Sequence, residues 1–192
     1  MRYLALPPVS SELEAAALAV AEGLALSDNR PGFSRLYADS TNIVMYEFAQ
    51  APDLTQTINT EFGGFFGEHL HPVVGVMRNT GVGAAEIPPH FDRFRKLAVN
   101  YVLRSGGKAT TDFYDFERGD GEDISQGLHL SYDGLAFVDG SIIPEKRWHV
   151  VNVQQAHAVH NIESTRVTLG FVLGSNPDFI SFTDTHKDLL CH

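Results

Sequence analysis

The sequence predicts a mainly β fold, a two-sheet jelly roll, with helix confined to its N-terminal part. Three observations carry this. Apolar runs of strand length recur after residue 90, at 97–103, 110–116, 128–138, 148–153, 157–162 and 166–173. Turn chemistry falls between them, with Asp133-Gly134 and Asp139-Gly140 read as hairpin-type turns. Helical periodicity is found only near the N-terminus. Many short strands after a leading helix fit two packed antiparallel sheets.

Taken in order, Ser11-Glu12-Leu13-Glu14 reads as a capping box that opens a helix. Leu13, Ala16, Ala17, Val20 and Leu24 then recur at helical spacing, so one face of this helix packs against the outside of a sheet. Asn29-Arg30-Pro31-Gly32 is a turn. Residues 42–48 and 73–77 are rich in β-branched and aromatic side chains and read as strands. Residues 55–66 read as a second helix or an irregular lid, because Gly63-Gly64 weakens a helix. The acidic, glycine-rich stretch 117–126 is expected to be a mobile loop over the mouth of a site.

Composition bounds the function. A chain of 192 residues with 43% hydrophobic and 20% charged residues has the make-up of one folded domain with a sizeable core. A formal charge of −10 argues against a nucleic-acid surface, because phosphate contacts need clustered Lys and Arg. No apolar run approaches the roughly 18–20 residues that span a bilayer. One basic residue, then Pro7-Pro8 and an acidic helix, do not make a signal peptide. The single cysteine, Cys191, excludes an internal disulfide and fits a reducing, cytoplasmic setting. It reads as an exposed tail thiol.

The chemistry concentrates in His90-Phe91-Asp92 and in Ala156-His157-Ala158-Val159-His160-Asn161, followed by Arg166-Val167-Thr168. Residues i and i+2 of an extended segment point the same way, so His90 and Asp92 can share one metal with Phe91 turned aside. Pro88-Pro89 stops a helix and holds the approach extended. The same parity sets Arg166 and Thr168 on one face. Arginine pairs bidentately with a carboxylate, and a hydroxyl two residues on can add a further hydrogen bond.

This arrangement resembles the HxD…H…RxS/T pattern of the iron(II)- and 2-oxoglutarate-dependent oxygenases, as a small member similar to the prolyl and aspartyl hydroxylases. With 95–103, Gly106-Gly107 and 110–114, the similarity covers residues 73–174. The resemblance implies a double-stranded β-helix of jelly-roll, cupin-like form with the N-terminal helix or helices on one sheet. It divides one domain, 1–192, into a helical and strand extension 1–72, an oxygenase core 73–174 and a C-terminal tail 175–192. It implies Fe(II) on His90, Asp92 and His157, with 2-oxoglutarate as cosubstrate and O2 as oxidant. Two histidines and a carboxylate leave open positions for both. The distal cosubstrate carboxylate would meet Arg166 and Thr168. Asn100, Tyr101, Thr111 and Tyr114 are candidate cosubstrate or substrate contacts, because the barrel interior needs polar groups there. Asp92 implies hydroxylation, because the halide-transferring members lack this carboxylate.

His157 and His160 are three apart, so on a strand only one faces the metal. The nine-residue interval from His157 to Arg166 resembles the family's and favours His157, with His160 behind it or facing outward. Arg93 and Arg95 read as strand-end charges or as anchors for a substrate carboxylate. His69 and His71 read as loop or surface residues, His129 and His149 as hydrogen-bonded barrel histidines, and Trp148 as core. The expected substrate is amino-acid-like, a free small molecule or a peptidyl side chain, with neither nucleic acid nor membrane as partner. The rival reading is a non-catalytic cupin-type barrel that binds a metal or a small ligand. A serine hydrolase is disfavoured, because no Gly-x-Ser-x-Gly setting occurs.

Overall fold

Strands and helices alternate in the first third of the chain and strands dominate the rest. A computed structural model describes residues 1–25, 34–35, 43–47, 52–79, 83–92, 95–116, 122–124 and 127–191. The elements are β1 (Arg2–Tyr3), α1 (Ser11–Ala25), β2 (Ser34–Arg35), β3 (Ile43–Glu47), α2 (Pro52–Phe66), β4 (Leu70–Asn79), β5 (Ala85–Asp92) and β6 (Leu97–Ser105). They continue with β7 (Thr110–Phe116), β8 (Glu122–Ile124), β9 (Gly127–His129), β10 (Leu135–Ile142), β11 (Trp148–Asn152), β12 (Ala156–Ile162), β13 (Arg166–Leu173) and α3 (Phe179–Thr185). One sheet has seven strands in the order β1-β11-β6-β13-β4-β3-β2, and the other has six in the order β10-β7-β12-β5-β9-β8. Every pairing among the described residues is antiparallel. This is the predicted jelly roll, a β-sandwich of cupin-like form with helices on one sheet.

Alternation along the seven-stranded sheet sorts its two faces. Val167, Leu169, Phe171 and Leu173 of β13 join the largest buried cluster, together with Val74 and Val76 of β4, Val99 and Tyr101 of β6, and Val150 of β11. Helices α1 and α2 cover this outer face through Leu13, Ala17 and Ala21 and through Leu54, Ile58 and Phe62. Burying each large apolar side chain stabilises by roughly 1.5–3 kcal/mol, so this helix–sheet layer is the main source of stability. Trp148 sits at its centre with Phe62, Tyr101 and Phe171 at 4.9, 5.1 and 5.4 Å between ring centroids, and its indole N–H donates to the Pro7 carbonyl at 2.9 Å. The core role expected for Trp148 holds.

Several expectations need correction. The cap of α1 is Ser10 rather than Ser11: Ser10 Oγ accepts from Leu13 N at 3.0 Å. The reciprocal carboxylate is Glu61 of α2, which accepts from Ser10 N at 3.1 Å, while Glu14 turns away to pair with Lys146. A long-range carboxylate thus does what the local box promised. Residues 55–66 are helical throughout, within Pro52–Phe66, because one face buries Leu54, Ile58, Phe62 and Phe66 and offsets the glycine cost. The run 128–138 is two strands, broken where Gly134 takes φ 84°. Asp133-Gly134 links strands of different pairing, since β9 pairs with β5 and β8, and β10 with β7. Asp139-Gly140 is no turn, and Gly140 lies within β10 opposite Asp112, beside a bulge at Phe137–Asp139.

The C-terminal stretch is more than a tail. Asp178 caps α3 by accepting from Ser181 N, and Phe182 is buried beside Phe66. Cys191 is half-buried, and its N–H donates to the Tyr3 carbonyl at 3.0 Å. The turn at 29–32 lies outside the described residues. So do 117–121 and 125–126 of the expected acidic loop, whose residues Glu122–Ile124 form β8. Among the described residues, no helix is long and apolar enough to cross a membrane.

Candidate metal centre

The site begins with a break in strand regularity. On β5, His90 stands opposite His157 of β12, but Ile87 stands opposite Val159, so three residues of β5 match two of β12. The extra residue falls at Pro88-Pro89, where the missing backbone N–H makes a bulge cheap. The bulge shifts the phase of the strand, so that Ile87 and His90 both face the space between the sheets. Without it, His90 would follow the alternation of Ala85 and Ile87 to the opposite face.

His90, Asp92 and His157 converge there. Each offers one ligand atom, and these atoms lie within 4.8 Å of one another, so the group could hold a metal ion. The imidazole rings are 4.2 Å apart, and His90 Nε2 is 3.8 Å from Asp92 Oδ1. Both rings are oriented from behind. His90 Nδ1 donates to the Pro88 carbonyl and His157 Nδ1 to the Gln155 carbonyl, each at 2.9 Å. A carbonyl can only accept, so these bonds fix the proton on Nδ1 and leave the Nε2 lone pair for a metal. Burial lowers the His157 pKa against the opposing pull of Asp92, which favours the neutral form that a ligand needs.

Asp92 is held as firmly. Burial alone would raise its carboxyl, but the positive charge of Arg95, aided by His157, His90 and the Arg95 hydrogen bond, outweighs this and holds it below the usual range. Arg95 Nε binds Oδ2, so Oδ1 is the oxygen turned to His90. Asp92 N donates to the Val153 carbonyl at 3.1 Å, and Gln154 Nε2 donates to the carbonyls of Asp92 and Arg95 at 2.9 and 3.0 Å. The β11–β12 turn therefore clamps the end of β5.

A cavity extends from this group into the sandwich, enclosing about 690 Å³ of space, part of it open to solvent. Its seven-stranded wall is largely apolar, with Val73, Met77, Ala98, Val151 and Val153, but carries Asn100, His149, Arg166 and Thr168. Two glycines make room for the polar groups. A Cβ on Gly75 would lie 2.6 Å from Thr168 Oγ1, and one on Gly170 would collide with Asn100 Oδ1.

Arg166 is 3% exposed. Its Nη1 donates to the Ser105 carbonyl at 3.3 Å, whereas Nε is buried without a hydrogen-bond partner among the described residues. Burial brings its pKa down to about 10, opposed by Glu145, so the guanidinium stays charged at neutral pH. An unsatisfied buried cation costs several kcal/mol unless something anionic meets it.

The remaining sequence-predicted residues sort by strand parity. Thr111 lines the cavity, but Tyr114, three residues on along β7, packs with Leu130, Ala156 and Ala158 on the far face of the six-stranded sheet. Tyr101 likewise packs in the outer core against Trp148. His160 is on the outer face. Its Nδ1 meets Glu86 Oε2 at 3.1 Å, and its Nε2 faces Tyr114 Oη at 3.2 Å and Asp112 Oδ2 at 3.5 Å. The geometry thus brings His157, and not His160, to His90 and Asp92. Arg95 lines the cavity and binds Asp92, and Arg93 lies outside the described residues. His69 and His71 are exposed, as expected. The sequence alone gives neither His149 nor Gln154 a place at the site. The pattern Trp148-His149-Val150 carried the signal for His149: once Trp148 is core, alternation turns His149 inward.

No family model matches the chain, and no curated protein matches it. Among solved structures it is similar to AviO1 from Streptomyces viridochromogenes Tue57, at 14% identity and a TM-score of 0.48, over 92% of both chains. It is also similar to oxalate decarboxylase from Bacillus subtilis, at 15% identity and 0.38, over 81% of this chain and 34% of that one. Vicilin from Corylus avellana (hazelnut) is similar at 13% identity and 0.39, over 72% and 30%. The chain thus spans about a third of the vicilin and decarboxylase chains. The fold and the site together define a jelly-roll protein with a His–Asp–His group, both of its histidines buried, that could hold a metal ion.

Proposed function

We propose that the protein is an Fe(II)- and 2-oxoglutarate-dependent dioxygenase. It hydroxylates a C–H bond of an amino-acid-like small molecule or peptidyl side chain and converts 2-oxoglutarate to succinate and CO2. In this reading His90, Asp92 and His157 hold the iron, and Arg166 with Thr168 binds the distal carboxylate of the cosubstrate. Asn100 adds a polar contact on the same wall.

The observation that carries the reading is Arg166. A barrel that held only a metal has no use for a second, buried positive charge in the same cavity. Its unpaired Nε and the nearby Thr168 hydroxyl are what a carboxylate would satisfy. Iron, when bound, would supply activation of O2 and the power to break an unactivated C–H bond. The protein's part is positional. The two imidazoles present fixed lone pairs, and Arg95 keeps Asp92 ionised and turned. The apolar inner wall excludes water around the reacting bond.

The test is succinate formation by metal-stripped protein in air. Succinate should appear on adding Fe(II) with 2-oxoglutarate and vanish with an iron chelator, a candidate substrate raising the rate. Tight iron binding without succinate formation or 2-oxoglutarate binding would leave a metal-binding barrel.

A further inference from the structure

We infer that the outer face of the six-stranded sheet carries a second metal site, where His160, Asp112 and Tyr114 hold a divalent transition ion of the zinc type. The site is separate from the cavity and does not depend on what the cavity binds.

His160 lies on β12, and Asp112 and Tyr114 lie on its neighbour β7, with all three side chains meeting on the face turned away from the cavity. The imidazole is fixed from behind. Its Nδ1 meets Glu86 Oε2 of β5 at 3.1 Å, and a carboxylate can only accept, so the proton sits on Nδ1. The Nε2 lone pair is thereby presented to Asp112 and Tyr114, the carboxylate–histidine arrangement that orients metal ligands. His90 and His157 are held in the same way, by a backbone carbonyl in place of the carboxylate.

Asp112 Oδ2 stands 3.5 Å from His160 Nε2, and Tyr114 Oη stands 3.2 Å from it. The first distance is long for a charge-assisted hydrogen bond, which runs about 2.7–2.9 Å. It suits two ligands of one ion. With metal–N and metal–O bonds of roughly 2.0–2.2 Å, tetrahedral ligands lie about 3.3–3.6 Å apart. The neighbours of Asp112 leave its carboxylate room to lean toward the histidine. On β12 the residue opposite is Ala158, and on β10 it is Gly140, where a Cβ would lie 2.5 Å from Asp112 Oδ1. The His160 and Asp112 side chains are 19% and 21% exposed, so an ion can reach them from solvent and keep a water as its fourth ligand.

Electrostatics favour a cation here. His160 partners both Glu86 and Asp112, so one imidazole stands between two carboxylates. Burial, with the charges of Asp112 and Glu86, raises the Tyr114 pKa. A divalent ion among these groups reverses that field and draws the phenol toward phenolate. Imidazole and oxygen donors hold Zn(II) more tightly than Fe(II), which makes zinc the ion to test.

The experiment counts the Zn(II) bound by wild type, His157→Ala, His160→Ala and the double variant, by calorimetry. Wild type should bind two ions, each single variant one, and the double variant none. Within His157→Ala, adding Asp112→Asn, which keeps the side chain's shape, should weaken the remaining ion by more than the roughly 10–100-fold that groups behind a ligand contribute, and adding Glu86→Gln should fall within that range. The Asp112→Asn variant also decides the matter should His160→Ala disturb folding. No zinc bound by His157→Ala, zinc retained by the double variant, or zinc held undiminished with Asp112→Asn would each overturn the outer site. One ion in wild type, lost in His160→Ala and kept in His157→Ala, would uphold the outer site and count against the inner one.

Discussion

Alanine at His90, Asp92 or His157 is expected to abolish Fe(II) binding and, with it, succinate formation. Among the described residues three protein atoms make up the donor set, so removing one leaves two, and the loss should exceed the roughly 10–100-fold typical of disturbing groups behind the ligands. His160→Ala is the control. Its ring faces away from the site and joins Glu86 to Tyr114 across neighbouring strands, so iron affinity should be retained. Asp92 needs a second variant, because its removal also takes a carboxylate partner from the Arg95 guanidinium. Asp92→Asn keeps the shape and a hydrogen-bond acceptor for Arg95, and it should lose iron while unfolding at a higher temperature than Asp92→Ala. Metal titration with thermal unfolding of the five variants checks this. Full turnover in Asp92→Ala, or iron lost in His160→Ala but kept in His157→Ala, would overturn the ligand assignment.

Arg166→Ala is expected to weaken 2-oxoglutarate by roughly 30-fold or more, from the order of 2–5 kcal/mol lost when one partner of a buried charge pair is removed. Arg166→Lys should recover only part, since an ammonium cannot form the two-pronged contact. Iron affinity should be unchanged in both. Stability should move the other way. Without ligand, Arg166 is a buried cation with an unsatisfied Nε, so Arg166→Met, which keeps the apolar stem, should unfold at the same temperature as wild type or higher. The stabilisation that saturating 2-oxoglutarate gives wild type, about 2.7 kcal/mol at a hundred times the dissociation constant, should largely disappear in that variant. Unchanged 2-oxoglutarate affinity in Arg166→Ala would remove Arg166 as the carboxylate partner.

Period-two reasoning reached much of this arrangement from the sequence. It put Arg166 and Thr168 on one face and Val167 and Leu169 on the other, and the sheet keeps that division. It separated His157 from His160 before the strands could be paired. It failed where parity depends on knowing which face of a strand is inside. Tyr101 and Tyr114 were grouped with Asn100 and Thr111 as polar wall residues, yet adjacent strand positions alternate, and both tyrosines fall on outer faces. The bulge at Pro88-Pro89 was legible only as an extended entry, because the register with β12 is a long-range property. The capping carboxylate from Glu61 and the clamp from Gln154 are also long-range contacts, invisible to a local reading. His149 reads from the sequence as a strand histidine, and only the sheet order puts it in one cavity with Arg166.

The most direct test of the central claim is an anaerobic titration of 2-oxoglutarate into the Fe(II)-loaded protein, followed by visible absorption. Chelation of iron by a 2-oxo acid gives a weak charge-transfer band. The account predicts that this band grows to saturation at one equivalent in wild type, needs far more 2-oxoglutarate in Arg166→Ala, and is absent in Asp92→Ala. Iron bound tightly by wild type with no band at saturating 2-oxoglutarate would contradict it.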